Sequence, residues 1–268
     1  MPAASCPAAT VRRFVLAVRF LTRLPMPGPD IGHEELGKAA AYFPMVGLVV
    51  GAPVAAAAAA VASLWGDPLL GGAAAVVANA VITGGLHLDG LMDTCDGLFG
   101  GHTRERALEI MRDPRVGSFG VLGGGTAILV RSLLSAGSGT AIPWQGILLA
   151  PVVGRCALVW TVASFPYARP EGTGKAFSGA TGGAQWGVAA AWAAALCAAV
   201  AGVPGLAWLG AGWLVAAGVG WGIRRRLGGL TGDSYGAVTE VAEWVALAAA
   251  GLVPGAGCPL GAALNARL

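Results

Sequence analysis

Apolar residues occupy this chain in long blocks, and shorter stretches that hold most of the charged side chains separate them. Seven of the blocks reach the length of about 20 residues that a helix needs to cross the hydrocarbon core of a bilayer. They cover residues 41–65, 68–88, 116–136, 143–164, 184–203, 205–223 and 237–254. The pattern predicts an all-α, polytopic integral membrane helix bundle with about seven transmembrane helices, folded as a single domain over residues 1–268.

The N-terminal segment, residues 1–40, has a different pattern. Phe14, Leu21 and Leu24 fall on one helical face and arginines fall on the others, which is typical of a helix that lies on the membrane surface. No small-residue cleavage site follows a clean apolar core. We therefore expect an uncleaved interfacial helix and not a signal peptide.

Composition supports a membrane protein and excludes some other classes. Hydrophobic residues make up 56% of the chain and charged residues 12%, where soluble domains carry about a quarter charged residues. The net charge is only +3 and the basic residues are dispersed, so no nucleic acid is expected as a partner. The five cysteines show neither a disulfide framework nor the spacing of zinc ligands.

The basic residues predict which side of the membrane each link faces. Of the 17 Lys and Arg, 14 lie in the N-terminal segment or in the longer links 89–115, 165–183 and 224–236, and only Arg267 falls on the opposite side. Basic residues near helix ends stay on the cytoplasmic side. We therefore expect the N-terminus and these three links in the cytoplasm, and the C-terminus outside.

Three aspartates mark the strongest candidate site, where the second predicted span enters the first cytoplasmic link. If this segment is helical, Asp89, Asp93 and Asp96 stand at i, i+4 and i+7 and project from one face. Three carboxylates at one helix end repel one another, and a hard divalent cation such as Mg²⁺ would offset their charge. We predict that they are metal ligands and catalytic residues, and that 89–115 is a catalytic link.

Other polar residues of the inner links are candidate substrate contacts. His87 would serve as a nearby base if the helix unwinds there, and a packing role is the alternative. Basic side chains close to a metal-held diphosphate would neutralise charge on the phosphoryl oxygens; alternatively, they only orient the protein in the membrane. The candidates in these links are Arg104, Arg112, Asp113, Arg115 and Arg169.

The start of the last predicted span completes the candidate set with Thr231, Asp233 and Glu240. Glu240 and Glu243 are set inside apolar sequence, where carboxylates usually face a partner or a cavity. Two interpretations stay open for them. One is an ion pair with Arg155, which also lies inside a predicted span, and the other is a second metal or substrate contact.

Five motifs are spread over most of the chain. They are Phe20–Pro25, Ala41–Gly47, Gly84–Gly97, Arg104–Asp113, and Thr231–Asp233 with Glu240. In this combination the chain resembles the cobalamin-5′-phosphate synthases, also called adenosylcobinamide-GDP ribazoletransferases. The acidic stretch alone would only be suggestive, whereas the whole set is specific.

The resemblance implies a multi-pass enzyme of the bacterial inner membrane that needs Mg²⁺ and performs the last assembly step of cobalamin. The ribose 3′-hydroxyl of α-ribazole, or of its 5′-phosphate, would attack the phosphorus attached to the aminopropanol of adenosylcobinamide-GDP, and GMP would leave. These substrates and the lipid bilayer are the implied partners. The preferred acceptor stays open, and so does a homo-oligomeric state.

Two other functions compete with this one. A CDP-alcohol phosphotransferase also uses clustered aspartates on membrane helices, but the spacing from Asp89 to Asp96 is too compressed for its motif. A cation-coupled transporter would explain the charged residues inside spans, such as Arg131 and Arg155. We find no internal repeat, however, and the strongest cluster lies at a span end. Turnover in detergent, without two compartments, would separate an enzyme from a transporter.

Overall fold

Helices form most of the described part of the chain in the computed structural model, which describes residues 7–28, 32–137, 144–170 and 173–252. The α-helices are α1 (Pro7–Leu21), α2 (His33–Ala39), α3 (Phe43–Trp65), α4 (Pro68–Thr83), α5 (Leu86–Gly100), α6 (Arg104–Ile110), α7 (Ser118–Ala136), α8 (Trp144–Ser164), α9 (Thr173–Ala180), α10 (Gly183–Leu227) and α11 (Gly232–Gly251). A 3₁₀ turn, Ala40–Tyr42, joins α2 to α3. The described residues contain no β-strand, which confirms the predicted all-α class.

Helix α8 forms the centre of the bundle. Helices α3, α10 and α11 pack around it, and most of its residues are buried. Gly47 and Gly51 of α3 lie against the α8 backbone: a Cβ at Gly47 would be 2.6 Å from the carbonyl oxygen of Pro151. Small residues permit this close approach between helices in membranes, where tight packing must hold the bundle together.

Fewer helices qualify as membrane spans than the sequence predicts. Within the described ranges, four are long and apolar enough, or five if the bent pair α4–α5 is one broken span. The four are Glu34–Trp65, Ser118–Ala136, Trp144–Ser164 and Gly183–Leu227. The chain is therefore a multi-pass membrane protein, but the count of about seven is not confirmed. One reason is that two predicted spans, 184–203 and 205–223, lie together in α10.

Helix α10 is folded back on itself. Its 45 residues include one with non-helical backbone angles, Gly202 (φ 61°, ψ −141°), in a region that favours glycine. A Cβ at Gly205 would collide with the carbonyl oxygen of Cys197, eight residues earlier. In a straight helix these positions would be about 12 Å apart. The chain therefore reverses here, as predicted for the short link near residue 204.

The chain bends by 95° between α4 and α5. The sequence predicts a single span over residues 68–88 that leads into the aspartate segment, but this span is broken. Helix α4 ends at Thr83, and Gly84 (φ 68°) and Gly85 (φ 72°) both adopt the left-handed conformation before α5 begins. Such residues end a helix however apolar its neighbours are. The aspartates therefore lie on a separate helix.

The N-terminal helix α1 is amphipathic, as predicted. Val18 and Leu21 are buried, and Arg12 on the polar face pairs with Glu35 of α2 at 3.1 Å between Nη2 and Oε2. The helix thus packs on the end of the bundle formed by α2 and α3. Its place at the membrane surface stays a prediction. Arg267, which we predicted on the outer side, lies outside the described residues.

Candidate active site

Helices α5 and α11 touch backbone to backbone in the predicted catalytic segment. A Cβ at Gly90 would be 2.6 Å from the carbonyl oxygen of Asp233, and a Cβ at Gly236 would be 2.9 Å from the carbonyl oxygen of His87. Contacts this short leave no room for a larger side chain at either glycine. The crossing brings the aspartates of α5 next to the first turn of α11.

Asp89 and Asp93 lie one turn apart on α5, as the predicted helical spacing requires. Asp89 is exposed, and Asp93 is half-buried within electrostatic range of Asp89, Asp233 and Arg169. Neither Asp89 nor Asp93 has a hydrogen bond or ion pair in the part of the chain that the structure describes. The pair is therefore a concentration of negative charge that protein groups do not neutralise.

Asp233 is held by two neighbours. Nη2 of Arg169 donates to its Oδ2 at 3.0 Å, and the hydroxyl of Thr231 donates to the same oxygen at 3.3 Å. Burial raises the pKa of Asp233, and the Arg169 guanidinium opposes that rise. Thr231 also caps α11, because its Oγ1 accepts the backbone N–H of Ser234 at 3.2 Å. These contacts hold the Thr231 and Asp233 side chains in place at the start of α11.

One hydrogen-bond donor of the Arg169 side chain has no partner among the described residues. This donor is the buried Nε. A buried donor without a partner is costly, and an anionic ligand oxygen would satisfy it. Arg169 therefore combines a fixed position beside Asp233 with a free hydrogen-bond donor.

Asp96 makes its hydrogen bonds to α7, although it lies within electrostatic range of Asp93. Its Oδ2 accepts the backbone N–H of Gly117 and its Oδ1 accepts that of Gly120, both at 2.7 Å. The side chain thus caps the N-terminus of α7, where unpaired N–H groups favour an anion. The three aspartates lie on one face of α5, but only Asp96 contacts α7 through hydrogen bonds among the described residues.

A cavity of about 650 Å³ adjoins Asp89, whereas Asp93 and Asp233 do not line it. Its walls come from three segments: the end of α1 and the residues after it, the Gly84–Gly85 break, and the first turns of α5. Asp89, Arg19 and Arg23 supply the charges in its lining. The volume lies in the range of about 300–1,000 Å³ that is typical of ligand sites.

Glu240 and Glu243 belong to a buried network of four charges. Arg131 donates to Oε2 of Glu240 at 3.1 Å and pairs with Glu243 at 2.6 Å, and Arg155 pairs with Glu243 at 3.0 Å. The two cations balance the two anions, which favours the ion-pair interpretation. Glu243 pairs with Arg155 as expected, whereas Glu240 pairs with Arg131 instead. Glu240 does not line the cavity beside Asp89.

His87 is buried within electrostatic range of the two arginines of this network, Arg131 and Arg155. Its Nε2 has no hydrogen-bond partner in the described ranges. The helix does not unwind at this residue, since α5 runs unbroken from Leu86 to Gly100. The packing alternative for His87 is therefore better supported than the role of a base exposed to substrate.

Comparison with known proteins identifies the family. The family model for cobalamin-5-phosphate synthase matches residues 13–251. The chain belongs to the cobalamin-5-phosphate synthase family. A relative from Roseiflexus sp. (strain RS-1), named adenosylcobinamide-GDP ribazoletransferase, is 43% identical over 87% of this chain and 86% of its own length.

Other relatives with the same name support this assignment to the cobalamin-5-phosphate synthase family. The protein of Desulforamulus reducens is 38% identical over 86% of this chain and 92% of its own length. The protein of Klebsiella pneumoniae subsp. pneumoniae is 38% identical over 89% of this chain and 99% of its own length. No solved structure matches the chain.

The donor set for a metal in this member of the cobalamin-5-phosphate synthase family is smaller than the sequence predicts. No group of three or more His, Cys, Asp or Glu side chains in the described residues is arranged to hold a metal ion. Asp89 and Asp93 nevertheless fit Mg²⁺, which is usually held by one or two carboxylates, with waters and substrate phosphates completing its shell. The role of Asp96 as a ligand stays a prediction, and its two backbone contacts argue for a structural role.

The candidates from the α6 region do not all reach the site. Arg104 donates from Nε to the carbonyl oxygen of Leu227 at 2.7 Å and from Nη2 to that of Ala168 at 2.9 Å, so it ties three segments together. Arg115 pairs with Asp113 at the surface and holds the pKa of that carboxyl at about 2. Arg112 is exposed, without an ion pair among the described residues.

Two arginines of the N-terminal segment were not among the predicted site residues, because we interpreted them as membrane-orienting charges. Arg19 and Arg23 line the cavity beside Asp89. The available signal was the motif Phe20–Pro25, which contains Arg23 and contributes to the resemblance to the cobalamin-5-phosphate synthase family. This motif is far from the aspartates in the sequence, so the sequence alone did not show that Arg23 and Asp89 line the same cavity.

Proposed function

We infer that this protein joins adenosylcobinamide-GDP to α-ribazole, or to α-ribazole 5′-phosphate, with release of GMP and in dependence on Mg²⁺. Membership of the cobalamin-5-phosphate synthase family and the names of the relatives support this reaction. One observation carries the site assignment: Asp89 and Asp93 lack protein partners beside Arg169, which has an unsatisfied donor. Such a site suits a cation together with a phosphate group.

The contacts of these residues suggest a different role for each in the reaction. Asp89 and Asp93 would hold Mg²⁺, which neutralises charge on the phosphate oxygens when it is bound. Arg169, fixed by Asp233, offers its Nε to a phosphoryl oxygen. Positioned cations and donors supply most of the stabilisation in phosphoryl transfer, so no protein nucleophile is required.

Asp233 is the residue best suited to take the proton of the attacking hydroxyl. The ribose 3′-oxygen forms a bond to the phosphorus that carries the aminopropanol, and the bond from this phosphorus to the bridging oxygen breaks, so GMP leaves. Both hydrogen bonds to Asp233 reach Oδ2, and Oδ1 has none from a described residue. Burial raises the pKa of this carboxyl, which makes it a better base than an exposed aspartate.

The reaction would occur on the cytoplasmic side of the bacterial inner membrane. The structure gathers the N-terminal segment, α5, the loop with Arg169 and the start of α11 around the site. These segments belong to or adjoin the N-terminal segment and the links 89–115, 165–183 and 224–236, which together hold 14 of the 17 Lys and Arg, and basic residues are retained in the cytoplasm. Water-soluble nucleotides would reach the site from there.

A GMP-release assay tests the reaction. Protein purified in detergent would be mixed with adenosylcobinamide-GDP and either acceptor, with Mg²⁺ or with a chelator. We expect GMP and a joined product only when donor, acceptor and Mg²⁺ are all present. Absence of GMP release with both acceptors would contradict the proposed reaction, and full activity in the chelator would contradict the metal requirement.

A further inference from the structure

The cavity of about 650 Å³ has opposite charges on two of its walls. Arg19 and Arg23 come from the N-terminal segment, and Asp89 comes from α5. Arg23 and Asp89 line the same space, yet no ion pair joins them and neither side chain has another partner in the described part of the chain. Opposite charges that share a cavity without contact leave room for a ligand that meets both.

Arg23 is held in position by contacts with the break between α4 and α5. The backbone N–H of Arg23 donates to the carbonyl oxygen of Ile82 at 2.7 Å, near the end of α4. The Arg23 side chain lies across Gly84, where a Cβ would be 3.0 Å from its Cγ and would collide with its Nε. Glycine at this position therefore allows both the left-handed backbone and the arginine above it.

The turn that leads to Arg23 is also well ordered by hydrogen bonds. The hydroxyl of Thr22 donates to the carbonyl oxygen of Val18 at 2.7 Å and accepts the backbone N–H of Leu24 at 3.3 Å. Both bonds use the side chain of Thr22, which is 6% exposed. The position of the Arg23 backbone is thus determined by α1 on one side and by α4 on the other.

We propose that Arg23, with Arg19 beside it, binds the diphosphate of the GDP end of the donor, across the cavity from Asp89. This inference rests on the function proposed above and assigns the part of the site that no sequence candidate covered. A diphosphate is the ligand that fits both walls: its oxygens accept hydrogen bonds from guanidinium groups, and they complete the shell of a cation held by carboxylates.

The charges favour the donor over the acceptor as the occupant. Unphosphorylated α-ribazole has no anionic group for an arginine to bind, whereas the donor always carries two phosphates. The N-terminal segment would therefore determine donor affinity, and the loop with Arg169, beside the proposed base Asp233, would lie closer to the reacting phosphorus.

Variants of Arg23 test this assignment. We would measure KM for adenosylcobinamide-GDP and for unphosphorylated α-ribazole in wild type, Arg23→Ala and Arg23→Lys, and the Kd for GDP in Mg²⁺. Loss of one hydrogen bond to a charged group predicts that Arg23→Ala raises the donor KM and the GDP Kd by about 10-fold or more. The KM for α-ribazole should stay within about 2-fold of wild type, and Arg23→Lys should recover part of the donor affinity.

Arg225→Ala is the matched control. Arg225 stacks on Trp221, with its Cζ 4.5 Å from the ring centroid, and does not line the cavity. We expect this variant to retain wild-type KM values. Unchanged donor KM and GDP affinity in Arg23→Ala would overturn the assignment, as would a rise in the α-ribazole KM or an equal loss in Arg225→Ala.

The GDP measurement also keeps this inference distinct from the proposed reaction. If wild type releases no GMP, the reaction is wrong, but GDP binding still reports on the cavity. A loss of GDP affinity in Arg23→Ala with unchanged size-exclusion behaviour would then support the phosphate site. Equal affinity in the two proteins would overturn it.

Discussion

Asp96 of α5 caps α7 through Gly120: the Asp96 Oδ1 accepts the Gly120 backbone N–H at 2.7 Å. A side chain at position 120 would collide with that carboxylate, so the glycine is needed for the contact. The backbone N–H of Gly117 donates to the other oxygen, Oδ2, so Asp96 connects α5 to α7. It thereby determines where the α5 aspartates lie relative to α7.

We predict that Asp96→Asn affects stability more than metal affinity. The amide would oppose one of the two backbone N–H groups with its own donor, at a cost of about 1 kcal/mol. Thermal unfolding in detergent should show a lower Tm, while the Mg²⁺ concentration for half-maximal activity stays within about 3-fold of wild type. A large rise in that concentration at unchanged Tm would instead make Asp96 a metal ligand.

The buried charges predict non-additive effects on stability. Arg131→Met would leave Glu240 without its cation, since Arg155 reaches only Glu243. Removing one partner of a buried pair costs about 3–5 kcal/mol. The double variant Arg131→Met/Glu240→Gln should be more stable than Arg131→Met alone, because no uncompensated charge remains. Unfolding measurements on the single and double variants check this, and strictly additive losses would contradict it.

The pH dependence of turnover should report on Asp233. If its ionised form accepts the hydroxyl proton, kcat falls as the pH drops through its raised pKa. Arg169 lowers this pKa, so Arg169→Ala should move the acid limb of the kcat profile to higher pH as well as reduce kcat. Arg106→Ala, which removes only an exposed pair with Glu109, is the control. An acid limb that stays in place in Arg169→Ala would exclude Asp233 as the base.

Hydropathy predicts the helices of this fold well, but it does not predict where they turn. The all-α class and the hairpin near residue 204 follow from the lengths of the apolar blocks and their short links. The 95° bend at Gly84–Gly85 does not, because an average over apolar residues contains no information on left-handed backbone angles. The sequence therefore did not predict the break in the span 68–88.

Periodicity predicts a face of a helix, whereas neighbouring helices decide what that face contacts. The spacing of Asp89 and Asp93 predicts that they lie one turn apart, as they do on α5, but it could not show that Asp96 caps the N-terminus of α7. The proposed phosphate contact of Arg23 could not be predicted for the same reason, since only the tertiary structure brings the N-terminal segment next to Asp89.

The Mg²⁺ dependence of GMP release in aspartate variants decides whether Asp89 and Asp93 hold the metal. Asp89→Asn and Asp93→Asn should each lower turnover by about 100-fold or more at saturating donor, with normal expression and size-exclusion behaviour. Asp67→Asn is the matched control, because Asp67 only caps α4 through the backbone N–H of Leu69 and asparagine retains such a cap. If both site variants turn over like wild type with unchanged Mg²⁺ dependence, these two carboxylates do not hold the metal and the account is contradicted.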